Sequence, residues 1–191
     1  MAAGAQSSAR FFRIPVGSDP LLRFLLIAAA LFVGWQLLYA LVIHPWGVPD
    51  RWLIGQLTDH AGGLLRVLGY ELLPEPAGDT NRYIGVQGGS FLWIGDRCDG
   101  LSVMVVFALF ILAFPGPWKH KSWFILLGTA VIHAINVLRV VALCIVVTID
   151  YELLNFQHDY TFQVIVYGWV LLLWFFWVKR FAPLPGKPTA P

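Results

Sequence analysis

The chain contains four long apolar runs separated by polar stretches. The runs are Leu21 to Ile43, Leu101 to Phe114, Trp123 to Ile149 and Tyr160 to Val178. A membrane-spanning helix needs about 20 apolar residues, which the first, third and fourth runs supply. The second run is short enough for a re-entrant segment. We predict a span there too, because the residues around Cys98 can extend its helix outward.

The stretch between the first and second runs, residues 44–100, has elements of its own. Residues 51–70 show an imperfect amphipathic pattern that predicts a helix along the membrane surface, although Gly62-Gly63 weakens this prediction. Further on, Tyr83–Val86 and Phe91–Ile94 flank a Gln-Gly-Gly-Ser stretch, which predicts a β-hairpin leading towards Cys98. We therefore predict an all-α integral membrane protein with about four transmembrane helices, an interfacial helix and a short β-hairpin.

Composition supports a membrane protein and excludes an ordinary soluble domain. Mean hydropathy is +0.70 and 58% of the residues are hydrophobic. Only 13% of the residues are charged, against about 25% in ordinary globular domains. The two cysteines, Cys98 and Cys144, are too few for a disulfide framework, and the absence of a CxxC motif argues against thiol redox work.

Charge predicts the orientation. With both termini and the loop before the third run on one side, that side holds a single acid, Asp19, and eight basic residues: Arg10, Arg13, Arg23, Lys119, Lys121, Lys179, Arg180 and Lys187. The positive-inside rule then places both termini in the cytoplasm and residues 44–100 outside an inner membrane. We predict a cytoplasmic tail (1–20), which lacks the apolar core of a signal peptide, a membrane-embedded catalytic domain (21–180) and a disordered cytoplasmic tail (181–191).

Three chemically active side chains are predicted to lie at similar depth near the outer face. A charged residue inside a span costs roughly 2.5–3.5 kcal/mol, so Arg139 is a functional candidate by default. Counted from the inner ends of their spans at 1.5 Å per residue, Arg139 lies about 24 Å up, Cys98 about 25 Å and His158 about 30 Å. Three segments that are distant in sequence therefore converge.

This trio suits nucleophilic catalysis. A cysteine reacts as its thiolate, which a cation or a helix N-terminus stabilises, and Cys98 is predicted to have both. Arg139 would stabilise the thiolate or hold an oxyanion, and His158 would act as base and then acid. Asn136, one turn from Arg139, is predicted to orient it, and Gly100 to leave room for a substrate backbone.

Other interpretations stay open. Cys98 would be inert without its partners, Arg139 would pair structurally with Asp99, and His158 would be an ordinary interfacial residue. Asp96 and Asp99 are also candidate helix N-caps. His133 is predicted to pack or to support a hydrogen bond, and Cys144 to be a small core residue. No metal site or cofactor is predicted, because no His, Cys or carboxylate pair has metal-ligand spacing.

The motifs CDGLSVMVVF, AINVLRVVAL and NFQHDYTFQVIVYG, in this order, resemble the exosortase/archaeosortase family of membrane transpeptidases. The resemblance covers Leu57 to Gly168. It implies that Cys98 forms a thioester, that Arg139 stabilises the thiolate or the oxyanion, and that His158 handles protons. Many relatives have a small residue in place of Asp99, which here would contact Arg139 or His158.

The resemblance also implies the partners. Substrates would be exported proteins with a C-terminal sorting signal, made of a short motif, a hydrophobic helix and a basic cluster; membrane lipid is the other partner, and nucleic acid is not expected. The recognition motif, the acceptor and the oligomeric state are not predicted. The alternative from a different class is a non-catalytic membrane assembly or transport component, with Arg139 in a structural or anion-binding role.

Overall fold

A computed structural model describes residues 20–74, 76, 82–114, 116–149 and 162–181. In this part of the chain the backbone is mostly helical, with one two-stranded antiparallel sheet. The protein is therefore an all-α membrane protein, as the hydrophobic pattern predicted. Both predicted tails, apart from Pro20 and Phe181, lie outside the described residues.

The helices account for the four apolar runs. In chain order they are α1 (Pro20–Leu38), α2 (His44–Trp46), α3 (Val48–Val67), α4 (Leu101–Ala113), α5 (Trp118–Ile149) and α6 (Phe162–Phe181). A π-helical turn, Tyr39–Ile43, joins α1 to α2, so Leu22–Trp46 is one continuous apolar segment. That segment, α5 and α6 are long and apolar enough to cross a membrane, whereas α4 has only 13 residues.

The spans extend beyond the predicted limits where charged residues flank them. Helix α5 begins at Trp118 instead of Trp123, and α6 continues through Lys179 and Arg180 to Phe181. Lysine and arginine are good helix formers, and their long side chains reach polar surroundings from within a helix. The charges therefore mark where the apolar stretch ends, and the helix itself goes further.

Helix α3 confirms the helix predicted between residues 51 and 70, but it packs closely within the protein. Its buried positions repeat at helical spacing and form one face: Asp50, Leu53, Ile54, Leu57, Ala61, Gly62 and Leu65. The Gly62-Gly63 pair does not interrupt the helix. A Cβ at Gly62 would lie only 3.2 Å from the Leu72 side chain, so this glycine lets the segment after α3 approach the helix.

The predicted β-hairpin is present. Strand β1 (Tyr83–Ile84) pairs with β2 (Leu92–Trp93), with Tyr83 opposite Trp93. An isolated bridge between Leu72 and Val86, which the sequence pattern did not indicate, adds the segment after α3 to the same small sheet. This sheet fixes the direction in which the chain enters the segment that carries Cys98.

Two clusters of buried side chains hold the helices together. The hairpin-side cluster joins α3, the hairpin and one end of α5: Ile54, Leu57, Ala61, Leu65, Ile84, Val86, Ile94, Val137, Val140, Val141 and Cys144. The aromatic cluster joins α4, α5 and α6: Phe107, Ile111, Phe124, Ile132 and Trp177. Cys144 is 1% exposed, so its predicted place in the core is confirmed. Cys98 packs against the hairpin-side cluster.

Candidate active site

Cys98 lies in a tight turn between the hairpin and α4. The turn is a single 3-10 turn, Asp96–Cys98, in which the Cys98 amide donates to the Gly95 carbonyl at 2.8 Å. Gly100 then adopts a left-handed conformation with φ +85°, and α4 begins at Leu101. The sequence prediction that Cys98 itself opens the helix is wrong, because the left-handed glycine separates the turn from α4.

Arg139 of α5 contacts the sulfur of Cys98. Its Nη2 donates to Sγ at 3.8 Å, although the two residues are 41 positions apart in the chain. Both side chains are partly buried, where charge-assisted hydrogen bonds are stronger than in bulk water. The structure thus brings together two of the three predicted catalytic residues.

The Asn136 side chain binds the backbone of the turn that carries Cys98. The predicted partner of Asn136 was Arg139, but its Nδ2 donates instead to the Asp99 carbonyl at 3.0 Å, and the Asn136 side chain is buried. A Cβ at Gly100 would overlap this amide nitrogen. The glycine that we had assigned to substrate clearance therefore has two structural causes, its positive φ and the close approach of Asn136.

Asp99 is a buried acid beside the thiol. Its Oδ1 accepts a hydrogen bond from the Leu101 amide at 2.7 Å. The N-cap of α4 is Gly100, so the prediction that Asp99 is the N-cap is wrong by one position. Burial raises the pKa of Asp99 to about 8, and the carboxyls of Asp50 and Asp96 act in the same direction, whereas the Leu101 bond lowers it. Burial therefore favours the protonated form of Asp99.

Asp96 anchors the other end of the turn. Arg82 Nη1 lies 2.6 Å from its Oδ1, and His44 Nε2 lies 3.5 Å from its Oδ2. These contacts tie the turn to the start of the hairpin and to α2. Asp96 was a candidate helix cap in the sequence, and in the structure its carboxylate contacts the side chains of Arg82 and His44.

His133 bonds to a neighbouring helix, as one of its two predicted roles required. His60 Nδ1 of α3 and His133 Nε2 of α5 lie 3.0 Å apart, with their rings nearly perpendicular. This pair fastens α3 to the helix that carries Asn136 and Arg139. His158, the third predicted catalytic residue, lies outside the described residues. The described part holds no group of three or more metal-ligand side chains.

The sequence missed Asp50 and Tyr39. Asp50 is fully buried in the first turn of α3, and the Tyr39 hydroxyl donates to its Oδ1 at 2.9 Å. A Pro-Asp pair at a helix start looks like an ordinary complement to the helix dipole. Only the fold shows that Asp50 lies close enough to Asp99 to raise the pKa of its carboxyl.

Comparison with known proteins gives one match. The family model described as transmembrane exosortase (Exosortase_EpsH) matches residues 17–179, which include the turn of Cys98, the Asn136–Arg139 helix and His158. No curated protein and no solved structure matches the chain.

Proposed function

Because the chain belongs to the transmembrane exosortase family, a family of membrane transpeptidases and proteases, we propose that it cleaves exported proteins at a C-terminal sorting signal through a thioester on Cys98. The observation that carries the proposal is the 3.8 Å contact between Arg139 Nη2 and Cys98 Sγ. A nearby cation favours the thiolate form of a cysteine, and the thiolate is the form that acts as a nucleophile.

In the proposed reaction the Cys98 thiolate attacks the carbonyl carbon of the scissile peptide bond. Arg139 donates to the thiolate first and to the developing oxyanion next, because its planar fork has several donors and keeps its charge. The carbon–nitrogen bond then breaks, and His158 delivers to the leaving amine the proton that it took from the Cys98 thiol. Water or an acceptor amine attacks the thioester carbonyl, gives a proton to His158 and releases Cys98 as the thiolate.

The proposed topology places the site at the outer face of the inner membrane. Both termini are cytoplasmic in this proposal, and residues 44–100 lie outside, as the distribution of basic residues supports. The apolar part of α4 has only 13 residues and begins three positions after Cys98, so the thiol sits close to the end of a short span. A peptide bond just outside the transmembrane helix of a substrate would reach such a thiol.

The test is processing of a co-expressed exported protein that ends in a short motif, a hydrophobic helix and a basic cluster. We expect Cys98→Ala to abolish processing. Loss of one oxyanion donor slows a reaction by a factor of about 10²–10³, so Arg139→Ala should slow processing by at least that factor. His158→Ala should be strongly impaired, since general acid–base catalysis contributes about 10²–10⁴.

Cys144→Ala is the matched control, because it removes the other thiol, which is buried in the hairpin-side cluster. It should process normally. If stably inserted Cys98→Ala, Arg139→Ala and His158→Ala proteins all process the substrate like the wild type, the proposal is wrong, and a non-catalytic role in assembly or transport takes its place.

A further inference from the structure

A second arginine lies beside the turn of Cys98, and the proposed reaction does not use it. Arg82 directly precedes β1, and its Nη1 lies 2.6 Å from Asp96 Oδ1. The Arg82 side chain is only 15% exposed. Charge-assisted hydrogen bonds are among the stronger ones in proteins, and partly buried pairs are screened less by salt than exposed pairs. Arg82 is therefore a close partner of the acid at the start of the turn.

The hairpin brings Arg82 to Asp96. The Ile94 amide donates to the Arg82 carbonyl at 2.8 Å, which continues the register that places Tyr83 opposite Trp93. Ile94 lies two positions before Asp96 in the chain. A slip of one residue in this pairing would turn the side chains to the other face of the sheet. The strand register thus fixes which cation stands next to Asp96.

Without a partner, the Asp96 carboxylate would work against the nucleophile. Asp96 and Cys98 belong to one 3-10 turn. Two residues span at most about 7 Å of chain, which is less than the screening length of about 10 Å in 0.1 M salt. A negative charge at this range disfavours a thiolate. It would also attract Arg139, whose Nη2 contacts Cys98 Sγ at 3.8 Å.

Several other charged and titratable groups surround the turn. They are Tyr39 from the π-helical turn, His44 from α2, Asp50 from α3, Arg139 from α5, and Arg97 and Asp99 next to Cys98. His44 Nε2 lies 3.5 Å from Asp96 Oδ2, and its side chain is 56% exposed. An imidazole is charged only when protonated, whereas a guanidinium keeps its charge. Among the described residues, Arg82 is therefore the permanently charged group that contacts Asp96.

We propose that Arg82 is a positioning residue for the nucleophile: it holds the Asp96 carboxylate and so leaves Arg139 to the Cys98 sulfur. The two arginines divide the two acceptors of the turn between them. Arg82 acts through Asp96 and does not contact the substrate. This role rests on the proposed function, because it serves a reactive thiol.

The test is alkylation of Cys98 by neutral iodoacetamide, measured against pH in the full-length protein in membranes. The assay needs no substrate, and peptide-level mass spectrometry separates Cys98 from Cys144. Arg82→Gln removes the cation from Asp96. We expect its alkylation rate at neutral pH to fall by about tenfold and its pH profile to move by about one unit to higher pH, the lower end of the effect of a nearby charge.

Two further variants separate the charge of Arg82 from its bulk. Arg82→Lys keeps the charge, and its alkylation rate should stay within a few-fold of wild type. The double variant Arg82→Gln/Asp96→Asn removes the unpaired carboxylate as well, so it should also return to within a few-fold of wild type. A purely structural role of Arg82 predicts that the double variant is at least as slow as Arg82→Gln.

Arg66→Gln is the matched control, because it removes a positive charge from an exposed residue in the last turn of α3. Its alkylation profile should match wild type. Three outcomes would overturn the proposal: an Arg82→Gln profile that coincides with wild type, a double variant as slow as Arg82→Gln, and an equal loss in Arg66→Gln.

If Arg82→Gln does not insert into the membrane, Asp96→Asn decides. This variant removes the negative charge and keeps an acceptor for Arg82, so Cys98 should be alkylated at least as fast as in wild type. A rate about tenfold below wild type refutes the proposal. Because no readout uses peptide processing, failure here is distinct from failure of the proposed function.

Discussion

Both ends of α5 pack in apolar clusters, and the Cys98 end adds directed polar contacts to neighbouring segments. At the Cys98 end, directed polar contacts fix the neighbouring segments: Asn136 to the Asp99 carbonyl, Arg139 to Cys98, and His133 to His60. At the other end, Phe124 packs among aromatic rings of α4 and α6, with centroids 5.1 Å from Trp177 and 6.0 Å from Phe107. One α-helix thus carries a polar assembly and an aromatic one.

The two kinds of contact have different roles: one positions the reactive atoms, and the other holds the helices together. Hydrogen bonds depend strongly on angle and distance, so they fix where a reactive atom lies. Aromatic packing tolerates several arrangements and supplies contact area between helices in lipid, where apolar burial alone gives little drive to associate. Changes in the aromatic cluster should therefore alter stability, and changes near Cys98 should alter reactivity.

The largest effect on stability is expected from Phe124→Ala. Phe124 is 2% exposed in the aromatic cluster, and truncation of a buried aromatic side chain costs about 3–5 kcal/mol. We expect the lower end of that range, because lipid replaces water around separated helices. Thermal unfolding in detergent measures the loss, and Cys98 alkylation of the protein that remains folded should match wild type.

Phe124→Leu is the matched control, since it keeps most of the volume and should cost much less. Slow alkylation of Cys98 in folded Phe124→Ala protein would contradict the separation, because it would couple the aromatic cluster to the position of the thiol.

Gly100→Ala should have the next largest effect and act mainly on reactivity. The residue has φ +85°, and a Cβ there would overlap the Asn136 amide. Gly88, in the hairpin, has φ +87° with open space around its Cβ position. Gly88→Ala therefore carries the same backbone strain, about 1–2 kcal/mol, without the overlap.

The comparison between these two variants isolates the Asn136 contact. We expect Gly100→Ala to unfold more easily than Gly88→Ala by about 1–3 kcal/mol, the usual cost of overpacking, and to slow Cys98 alkylation. The double variant Gly100→Ala/Asn136→Ala should recover part of the excess. Equal stability of the two single variants would show that Asn136 does not hold the turn.

Stability should also depend on pH through Asp99. The pKa of Asp99 is raised from 3.8 to about 8, so between these values the folded state binds a proton that the unfolded state releases. Stability from this group is therefore complete below about pH 4 and is lost as pH rises towards about 8. Thermal unfolding of wild type should weaken over that window, and Asp99→Asn should flatten the dependence. A wild-type curve as flat as that of the variant would contradict this origin.

Much of this arrangement could be predicted from the sequence. The apolar runs gave the helices, the Gly-rich turn gave the hairpin, and a charged residue within a span pointed to Arg139. The proximity of Cys98 to Arg139 followed from counting helical rise along two separate segments. Each inference used a regularity that repeats along a single segment of chain.

The remaining features depend on contacts between segments and could not be predicted in this way. Asn136 binds a backbone carbonyl, which every residue has, so no residue type marks its partner. Asp50 lies 49 positions before Asp99 and comes near it only because α3 packs against the Asp96–Cys98 turn. In the sequence Gly62 looks like a helix breaker, and only the structure shows that the Leu72 side chain packs close to it.

The bond from Asn136 to the Asp99 carbonyl has an evolutionary consequence. The main chain is the same whatever side chain stands at position 99, so this hydrogen bond is kept after any substitution there that preserves the turn. The residue after Cys98, and with it the local charge, can therefore change during evolution while Asn136 continues to support the turn.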